Sequence, residues 1–381
     1  MSFSLYVHLP YCLVKCPYCD FNAYAAKTWP EEQYMEALGA ELRHHTSQPP
    51  WHGQPIATIY FGGGTPSLFT PQSFARFLTL VGELAPIAEN VEITLEADPA
   101  TVTQEKLSGY RALGINRLSV GVQSFQPQLL KTLGRIHTPE DAHDTLTWAR
   151  AAGFANLSMD VIFAVPGQTV AMLADDLALV HDHALAHLST YSLTYEENTP
   201  FFVMKKKGKL QPVEEDEEVA MYSLIQERCA AAGYRHYEIS SFARPGFSAH
   251  HNTNYWNGTS YLGLGAGAHS FSAASAWGTR WSNERSPRRY MEKALAHGDA
   301  TTTVETLTRV QAMGEFVWLN LRQLQGFAPA AFVERFRVGF DEQFPHVADL
   351  LAEGLLTSAS GRITLSPQGL LLADTIFASF V

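Results

Sequence analysis

Apolar and polar positions along the first half of the chain repeat with two different periods. Six runs have the composition and period-two alternation of strands, and between them lie segments whose apolar residues are three and four positions apart, as in helices. The predicted strands are residues 4–9, 56–61, 91–97, 116–123, 156–163 and 187–193. The predicted helices are residues 30–45, 71–84, 104–114, 139–153 and 171–185. Repeated strand–helix units predict an α/β fold with a parallel sheet.

Six units favour a partial (β/α)6 barrel over a closed eightfold one, and a doubly wound sheet is the alternative. In either architecture, functional groups are expected at the carboxyl ends of the strands. The repeat ends near residue 198, and the segment 199–218, with "KKKGK" followed by "EEDEE", is predicted to be a solvated loop before a helix over 219–233.

The last eighty residues predict helices, a hairpin in "LLTSASGRITL" and a closing helix, an order similar to a winged-helix module. Arg362 is the one basic residue in the last forty, which argues against a DNA-binding version. We therefore divide the chain into a partial barrel over 1–240, a connecting segment over 241–300 and a small helical C-terminal domain over 301–381.

Composition narrows the function classes. The chain has 381 residues and a formal net charge of -11, so we expect no nucleic-acid partner. The sequence shows neither a signal peptide nor a run long and apolar enough to span a bilayer. Three of the four cysteines fall within residues 12–19, which does not suit a secreted disulfide framework and favours a reducing compartment, the cytoplasm. Peripheral membrane contact and a homodimer stay open.

Three cysteines, Cys12, Cys16 and Cys19, follow a C-x3-C-x2-C spacing. Iron–sulfur clusters are ordinarily held by four thiolates, so three leave one iron open to an exchangeable ligand. The main competitor is a zinc site completed by a histidine such as His8. An open-cornered cluster is favoured over zinc.

Other candidates lie at predicted strand ends. Three glycines in "YFGGGTP", residues 60–66, follow a strand and could bring backbone donors to a ligand or form a tight turn. Glu96, Gln123, Asp160 and Arg135 lie at or near the ends of successive units, where carboxylate and guanidinium groups could bind a cofactor. We expect them to share one mouth. On the first strand, Tyr6 and His8 occupy the same face.

The cysteine loop resembles the radical S-adenosylmethionine (SAM) family, which usually has an aromatic residue before the third cysteine, as Tyr18 is here. The resemblance implies a 4Fe-4S cluster whose open iron is chelated by the amino and carboxylate groups of SAM. In that family, an electron from the cluster cleaves SAM to methionine and a 5'-deoxyadenosyl radical.

Further motifs narrow the resemblance to the branch that contains oxygen-independent coproporphyrinogen III oxidase and a related group of haem chaperones. They are "YVHLPYCLVKCPYCDF", "YFGGGTPS", "LEADP", "GVQSF", "GRIH" and "MDVIFAVPGQT". Phe21 stands where the oxidase has a further cysteine, and the oxidase's N-terminal extension has no counterpart before Cys12. "HNTNYW", residues 251–256, is similar to the haem-binding HNxxYW signature of the chaperones. The resemblance thus implies haem transfer to an acceptor protein, with radical decarboxylation of coproporphyrinogen III as the alternative.

The resemblance also implies site residues, and it assigns no catalytic residue. Those around the cluster-bound SAM are Tyr6, Gly63 and Glu96. Those of a second SAM site are Gly64, Thr65, Gln123, Arg135 and Asp160. Those for haem are His251, Asn252, Tyr255 and Trp256, with His250, Tyr261 and His269 as neighbouring candidates. Ala164 and Val165 depart from the Gly-Leu of the family, which puts the geometry of that loop in doubt, and Cys229 matches no ligand.

Overall fold

The structure, a computed structural model, describes residues 2–381. Its strands are β1 (Phe3–Leu9), β2 (Tyr11–Cys12), β3 (Tyr24–Ala25), β4 (Ile56–Gly63), β5 (Ile87–Ala97), β6 (Arg117–Gln123), β7 (Asn156–Phe163), β8 (His187–Ser192), β9 (Arg235–Glu238), β10 (Ser241–Ala243), β11 (Tyr261–Leu264), β12 (His269–Ser272), β13 (Thr279–Asn283), β14 (Thr301–Thr306), β15 (Leu356–Ala359) and β16 (Arg362–Leu365).

Helices alternate with the strands of the barrel and dominate the C-terminal region. They are α1 (Glu31–Thr46), α2 (Pro71–Leu84), α3 (Gln104–Ala112), α4 (Pro127–Thr132), α5 (Pro139–Ala151), α6 (Val170–Asp182), α7 (Pro200–Lys206), α8 (Glu215–Ala231), α9 (His250–Trp256), α10 (Pro287–His297), α11 (Arg309–Leu321), α12 (Pro329–Phe336), α13 (Phe340–Gln343), α14 (Val347–Ala352), α15 (Pro367–Leu371) and α16 (Ala373–Ala378). No helix among residues 2–381 combines the length and the apolar character needed to cross a bilayer.

One large sheet organises the molecule, with strand order β14-β13-β12-β11-β1-β4-β5-β6-β7-β8-β10-β9. The strands from β11 to β8 are parallel, and the predicted six follow one another in chain order. A doubly wound sheet would reverse its strand order at a switch point, and this one does not. The predicted partial α/β barrel is confirmed: the sheet ends at β14 and β9 and stays open.

Local sequence explains the predicted barrel helices. Helix α2 starts with Pro71 after Thr70, whose hydroxyl accepts the amide of Ser73. Helix α5 starts with a capping box in which Thr138 and Asp141 bond each other's backbone amides. Apolar faces of these helices and the outward side chains of the strands form the main core of the molecule.

The inner face of the barrel is polar, which follows from the same alternation. In β1 the outward Leu5, Val7 and Leu9 join the core, while Ser4, Tyr6 and His8 point inward. The inward positions of the next strands are Thr58, Tyr60, Glu92, Thr94, Glu96, Arg117, Ser119, Ser158, Asp160, His187, Ser189 and Tyr191. Closed barrels of this class fill their interior with branched apolar side chains. Here the interior is built to hold polar groups.

The prediction of a solvated loop over residues 199–218 was wrong in two places. Residues 200–206 form α7, and α8 begins at Glu215, inside the acidic run. The charges suit these helices because Lys205 and Lys206 lie in the last turn of α7 and the acidic residues lie in the first turn of α8, where the helix dipole favours each sign. The prediction failed because runs of like charge, such as KKKGK and EEDEE, are typical both of solvated loops and of the ends of exposed helices.

The segment 241–300 does more than connect. It contributes β10, which lies between β8 and the edge strand β9, and β11 to β13, which extend the sheet on the other side of β1. Helix α9 lies between β10 and β11 in the chain. The C-terminal region has its own phenylalanine-rich core, formed by α11 to α16 and the β15–β16 hairpin. That hairpin was predicted, and Ser360 and Gly361 have the positive φ angles of its tight turn.

Candidate functional site

The cysteine loop lies over the carboxyl ends of the barrel strands. Its two ends are held together where β2 pairs with β3, so that Cys12 lies opposite Ala25. Within the loop, the Cys19 amide donates to the Cys16 carbonyl at 3.1 Å, forming a turn between the last two thiols. All three thiols are free and border a cavity of about 1170 Å³ inside the barrel.

Neighbouring groups donate hydrogen bonds to two of the sulfurs. The Thr65 hydroxyl donates to Cys12 Sγ at 3.3 Å, and the Arg135 guanidinium lies 3.8 Å from Cys16 Sγ. Burial raises the pKa of the Cys12 thiol to about 11 and raises that of Cys19. These thiols therefore hold protons at neutral pH, and iron would have to displace them, as metal binding to thiols ordinarily does. The hydrogen bond from Thr65 then favours the thiolate form of Cys12.

A zinc site completed by His8 does not fit this geometry. His8 Nε2 lies 3.0 Å from the carbonyl oxygen of Asn22, and His8 Nδ1 lies 3.0 Å from the hydroxyl of Tyr6, so both ring nitrogens are engaged. Among the side chains that the structure describes, no three from His, Cys, Asp or Glu are grouped closely enough to hold one metal ion. A cubane cluster does not need that convergence, because each thiolate binds a different iron. The cysteine loop fits a cluster better than a single zinc.

The glycine turn after β4 holds the cysteine loop in place. The Gly64 amide donates to the Leu9 carbonyl at 2.8 Å and the Thr65 amide to the Tyr11 carbonyl at 2.9 Å. A side chain could not be added: a Cβ on Gly64 would lie 2.8 Å from those same carbonyl oxygens, and one on Gly63 would meet the His8 ring at 2.5 Å. The amides that were candidates for ligand binding are therefore bonded within the protein.

Glu96 lies at the mouth with both carboxylate oxygens engaged. Oε1 accepts from the Tyr60 hydroxyl at 2.8 Å and Oε2 from the Gly63 amide at 3.2 Å. Burial raises the pKa of Glu96 to about 7, and the nearby carboxyl of Asp160 adds to that rise. Glu96 can therefore exchange a proton near neutral pH while bordering the cavity.

Gln123 is strained and has an unpaired polar atom. Its φ of 67° lies in the left-handed region, which costs a residue with a side chain about 1–2 kcal/mol. Its buried Oε1 has no hydrogen-bond partner. A strained residue with a free polar atom at a cavity wall is typical of a ligand contact.

Arg135 and Asp160 complete the predicted mouth. Arg135 donates at 2.7 Å both to Asp98 Oδ2 and to the Gly121 carbonyl, and its ion pair with Asp98 is nearly buried. Asp160 accepts from the Ser119 hydroxyl at 3.2 Å, and burial raises its pKa. Asp98 was missed by the sequence analysis, although it stands in the quoted "LEADP".

The structure brings the expected set together with one exception. Seven residues assigned to SAM by resemblance border the same cavity as the cysteines: Gly63, Gly64, Thr65, Glu96, Gln123, Arg135 and Asp160. Tyr6 borders a second cavity of about 690 Å³, which lies between the β11–β13 edge and the C-terminal helix α11. The two cavities share Gly63, Glu96 and Phe21 as walls.

The segment "HNTNYW" forms most of helix α9, which closes the barrel at the amino ends of its strands. His251 is buried: its Nδ1 lies 2.8 Å from the Thr58 hydroxyl, and its Nε2 lies 2.8 Å from the Tyr255 hydroxyl. Burial lowers the pKa of His251 to about 3, so it is neutral. Both nitrogens being occupied, His251 can bind iron only after releasing one of these partners.

The other residues of this segment face different spaces. Asn252 borders the large cavity, while Tyr255 and Trp256 border the second one. The Trp256 indole donates to Glu238, and the Arg322 guanidinium lies 4.5 Å from its ring centre. Of the neighbouring candidates, Tyr261 and His269 border the second cavity and His250 is exposed. Helix α9 thus connects the barrel to the C-terminal region.

The C-terminal region, for which the sequence favours a structural or substrate-covering role, also contributes to the large cavity. Residues 370–375, around the start of α16, form part of its wall, and Leu371 and Leu372 stay half exposed there. This segment and the cysteine loop border the same cavity. A covering role for the C-terminal region fits this position.

Ala164, where the family usually has Gly, adopts a backbone conformation that glycine favours. Ala164 has a φ of 58°, the left-handed conformation that glycine adopts without strain, and it is buried. The following Val165 amide donates to Gln168 Oε1 at 3.2 Å, which fixes the turn. Ala164 is therefore strained, because a residue with a Cβ occupies a conformation that only glycine adopts without cost.

Known proteins resemble this chain in both sequence and fold. The Radical SAM superfamily matches residues 6–180 and the HemN C-terminal domain matches residues 307–372. A Heme chaperone HemW of Bacillus subtilis (strain 168) is 33% identical over 381 residues, covering 99% of each chain. One from Escherichia coli (strain K12) is 32% identical and covers 99% of this chain and 98% of its own.

A solved structure supports the fold independently. Coproporphyrinogen III oxidase (HemN) from Escherichia coli, described as a radical SAM enzyme, superposes with a TM-score of 0.86 at 24% identity. The match covers all of this chain and 90% of the oxidase. At that identity the likeness concerns the architecture, and it does not distinguish an oxidase from another protein built on the same barrel.

Proposed function

This chain belongs to the Heme chaperone HemW family within the radical SAM superfamily, and on that premise we propose that it binds haem, a 4Fe-4S cluster and SAM and passes haem to an acceptor protein. The observation that carries the proposal is the full-length similarity to proteins of that name, together with the HNTNYW segment in α9 and Phe21 in the cysteine loop. Phe21 is 64% exposed and borders both cavities. No thiol is therefore offered at that position.

Cys12, Cys16 and Cys19 would hold the cluster, which when bound supplies single electrons to SAM. The protein's own groups orient the ligand: Arg135 is fixed by Asp98 and Gly121, and Glu96 is fixed by Tyr60 and Gly63. Gln123 has an acceptor oxygen without a partner at the cavity wall. The amide oxygen of Gln123 and the carboxylate of Glu96 are acceptors that suit the ammonium and hydroxyl donors of SAM.

We place haem at α9, which joins both cavities. Tyr255 and Trp256 offer flat aromatic surfaces toward the second cavity, and Asn252 offers an amide toward the first. His251 is neutral and so has the protonation state that iron binding requires. Ligation by His251 would exchange the hydrogen bond to Tyr255 or Thr58 for a bond to iron.

The test compares two adjacent histidines. His251→Ala should weaken haem binding to the anaerobically reconstituted protein, whereas His250→Ala, which removes an exposed ring one residue away, should leave it unchanged. Haem titration followed by absorbance gives the affinity, and the cluster absorbance should be the same in all three proteins. Equal haem affinity in wild type and His251→Ala would remove His251 from the site.

The oxidase alternative is tested by turnover. Anaerobic incubation of the reconstituted protein with coproporphyrinogen III, SAM and a reductant should yield no vinyl-bearing product at enzymatic rates. Such product would contradict the chaperone proposal, because decarboxylation of propionates to vinyl groups is the oxidase reaction. Transfer of bound haem to an apo haem protein should occur instead.

A further inference from the structure

One buried cation in the large cavity has no partner. Arg117, the first residue of β6, is 2% exposed and borders the cavity. Its Nε has no hydrogen-bond partner. Throughout residues 2–381, no acidic oxygen lies within 4.0 Å of its guanidinium. Arginine keeps its charge in proteins, and an uncompensated buried charge is costly, so this group favours an anion.

The carboxyl groups that face Arg117 form no ion pair with it. Glu96 is committed to Tyr60 and Gly63, and Asp160 accepts from Ser119. Burial raises the pKa of both carboxyls, and the charge of Arg117 opposes that rise without cancelling it. The surrounding histidines, His187 and His251, are kept neutral by burial and by the same guanidinium. Arg117 therefore faces the cavity without an ion-pair partner.

Distance along the strand separates this charge from the cysteine end. Gly121, which also borders the cavity, lies four residues further along β6, roughly 13 Å at the rise of a parallel strand. Arg135 accompanies Gly121 at that end, where it is already paired with Asp98. A ligand that spans the cavity from the cluster end would meet Arg117 with its far end.

We propose that Arg117 is an anchor for a carboxylate of a ligand held in the large cavity, binding it through its planar fork of N–H donors. Two ligands of the proposed function, on which this inference rests, offer that chemistry: the propionates of haem and the carboxylate of a second SAM, since the cluster-bound SAM would use its own carboxylate on the iron. A guanidinium is suited to either because it binds both oxygens of a carboxylate at once. No other arginine bordering the two cavities is both this buried and free of aromatic or acidic partners among the described residues.

The experiment pairs a residue change with a ligand change. Haem and haem dimethyl ester, which lacks the free carboxylates, are titrated into wild type, Arg117→Met, Arg117→Lys and Arg280→Met. Arg117→Met should weaken haem binding about 10- to 100-fold, the range for a charge-assisted bond, and leave ester binding unchanged. Arg117→Lys, which keeps the charge without the fork, should lose less. Arg280→Met is the matched control, since Arg280 borders the second cavity and is paired with Glu305 and Glu315.

A second arm measures SAM affinity of the reconstituted wild type and Arg117→Met. A loss of at least tenfold there, with haem unaffected, supports the anchor and assigns it to SAM. If wild type binds neither haem nor its ester, the proposed function fails while the SAM arm still decides the inference. If Arg117→Met binds both haem and SAM as tightly as wild type does, the proposed anchor is overturned. It is also overturned if Arg280→Met loses haem binding while Arg117→Met does not.

Discussion

The two ends of the barrel differ in how completely their polar groups are satisfied. At the cysteine end, Gln123 is strained with a free amide oxygen, and Arg135 has a free Nε. At the α9 end, His187 and His251 each have both ring nitrogens within 2.8 Å of a hydroxyl oxygen. At the cysteine end a ligand would therefore meet polar atoms that are already free, whereas at the α9 end a ligand of His251 has to displace an existing hydrogen bond, and Arg117 lies between the two with a free Nε.

The largest expected effect is at the cysteine end. Replacing Cys12, Cys16 or Cys19 by Ser should abolish cluster assembly, because each removes one of three thiolate ligands. Iron and sulfide analysis after anaerobic reconstitution checks this. Cys229→Ala is the matched control, since that thiol is buried in α8 away from the loop, and it should retain full iron content. Iron retained in all three Ser variants would refute the assignment.

The cysteine end was predictable because its chemistry lies where strands stop. Cys12, Glu96, Gln123 and Asp160 stand near the ends of apolar runs, and parallel strands bring such ends together. The polar groups at the α9 end could not be predicted from the sequence. Arg117, Thr58 and His187 alternate with apolar residues inside strands, and nothing in that pattern distinguishes a functional polar residue from a structural one. Hydrogen bonds such as His251 to Thr58 join residues 193 positions apart and depend on tertiary structure.

The next effect concerns stability at the α9 end. His187 is fully buried, with the Ser158 hydroxyl 2.7 Å from Nδ1 and the Tyr237 hydroxyl 2.8 Å from Nε2. His187→Ala should lower the free energy of unfolding by about 3 kcal/mol, since it leaves the Ser158 hydroxyl unpaired, removes one of the two partners of the Tyr237 hydroxyl and opens a cavity. Gln123→Ala at the cysteine end should change it by less than about 0.5 kcal/mol. Denaturant titration of the cluster-free protein measures both, and equal losses would erase the contrast.

An effect of similar size is the pH dependence due to Glu96. Burial raises its pKa from 4.5 to about 7, so between these values the folded chain holds a proton that the unfolded chain lacks. Its contribution to stability is therefore present below pH 4.5 and is lost as the pH rises to 7. At about 1.4 kcal/mol for each unit of pKa difference, we expect the loss to be about 3 kcal/mol.

Glu96→Gln should remove this dependence. The stability of wild type relative to the variant, measured by denaturant titration at pH 5 and pH 8, should fall by that amount as the pH rises. A difference that is constant across this range would mean that the Glu96 carboxyl is ionised throughout.

The smallest effect is at the loop of Ala164. Ala164→Gly should stabilise the protein by about 0.5 kcal/mol, because relief of the left-handed strain slightly exceeds the entropy that glycine loses on folding. Ala40→Gly, in the interior of α1, should instead destabilise by about 1 kcal/mol. Thermal unfolding of both variants gives the signs, and destabilisation by Ala164→Gly would argue against the positive φ.

The central claim is that Cys12, Cys16 and Cys19 bind three irons of a cluster at the cysteine end of the barrel and leave the fourth iron open for SAM. The most direct measurement is the electron paramagnetic resonance spectrum of the reduced, reconstituted protein before and after SAM is added. We expect the g-values of the cluster to shift on addition of SAM, since an amino acid replaces the exchangeable ligand of one iron. A cluster spectrum that is unchanged by saturating SAM would contradict the account.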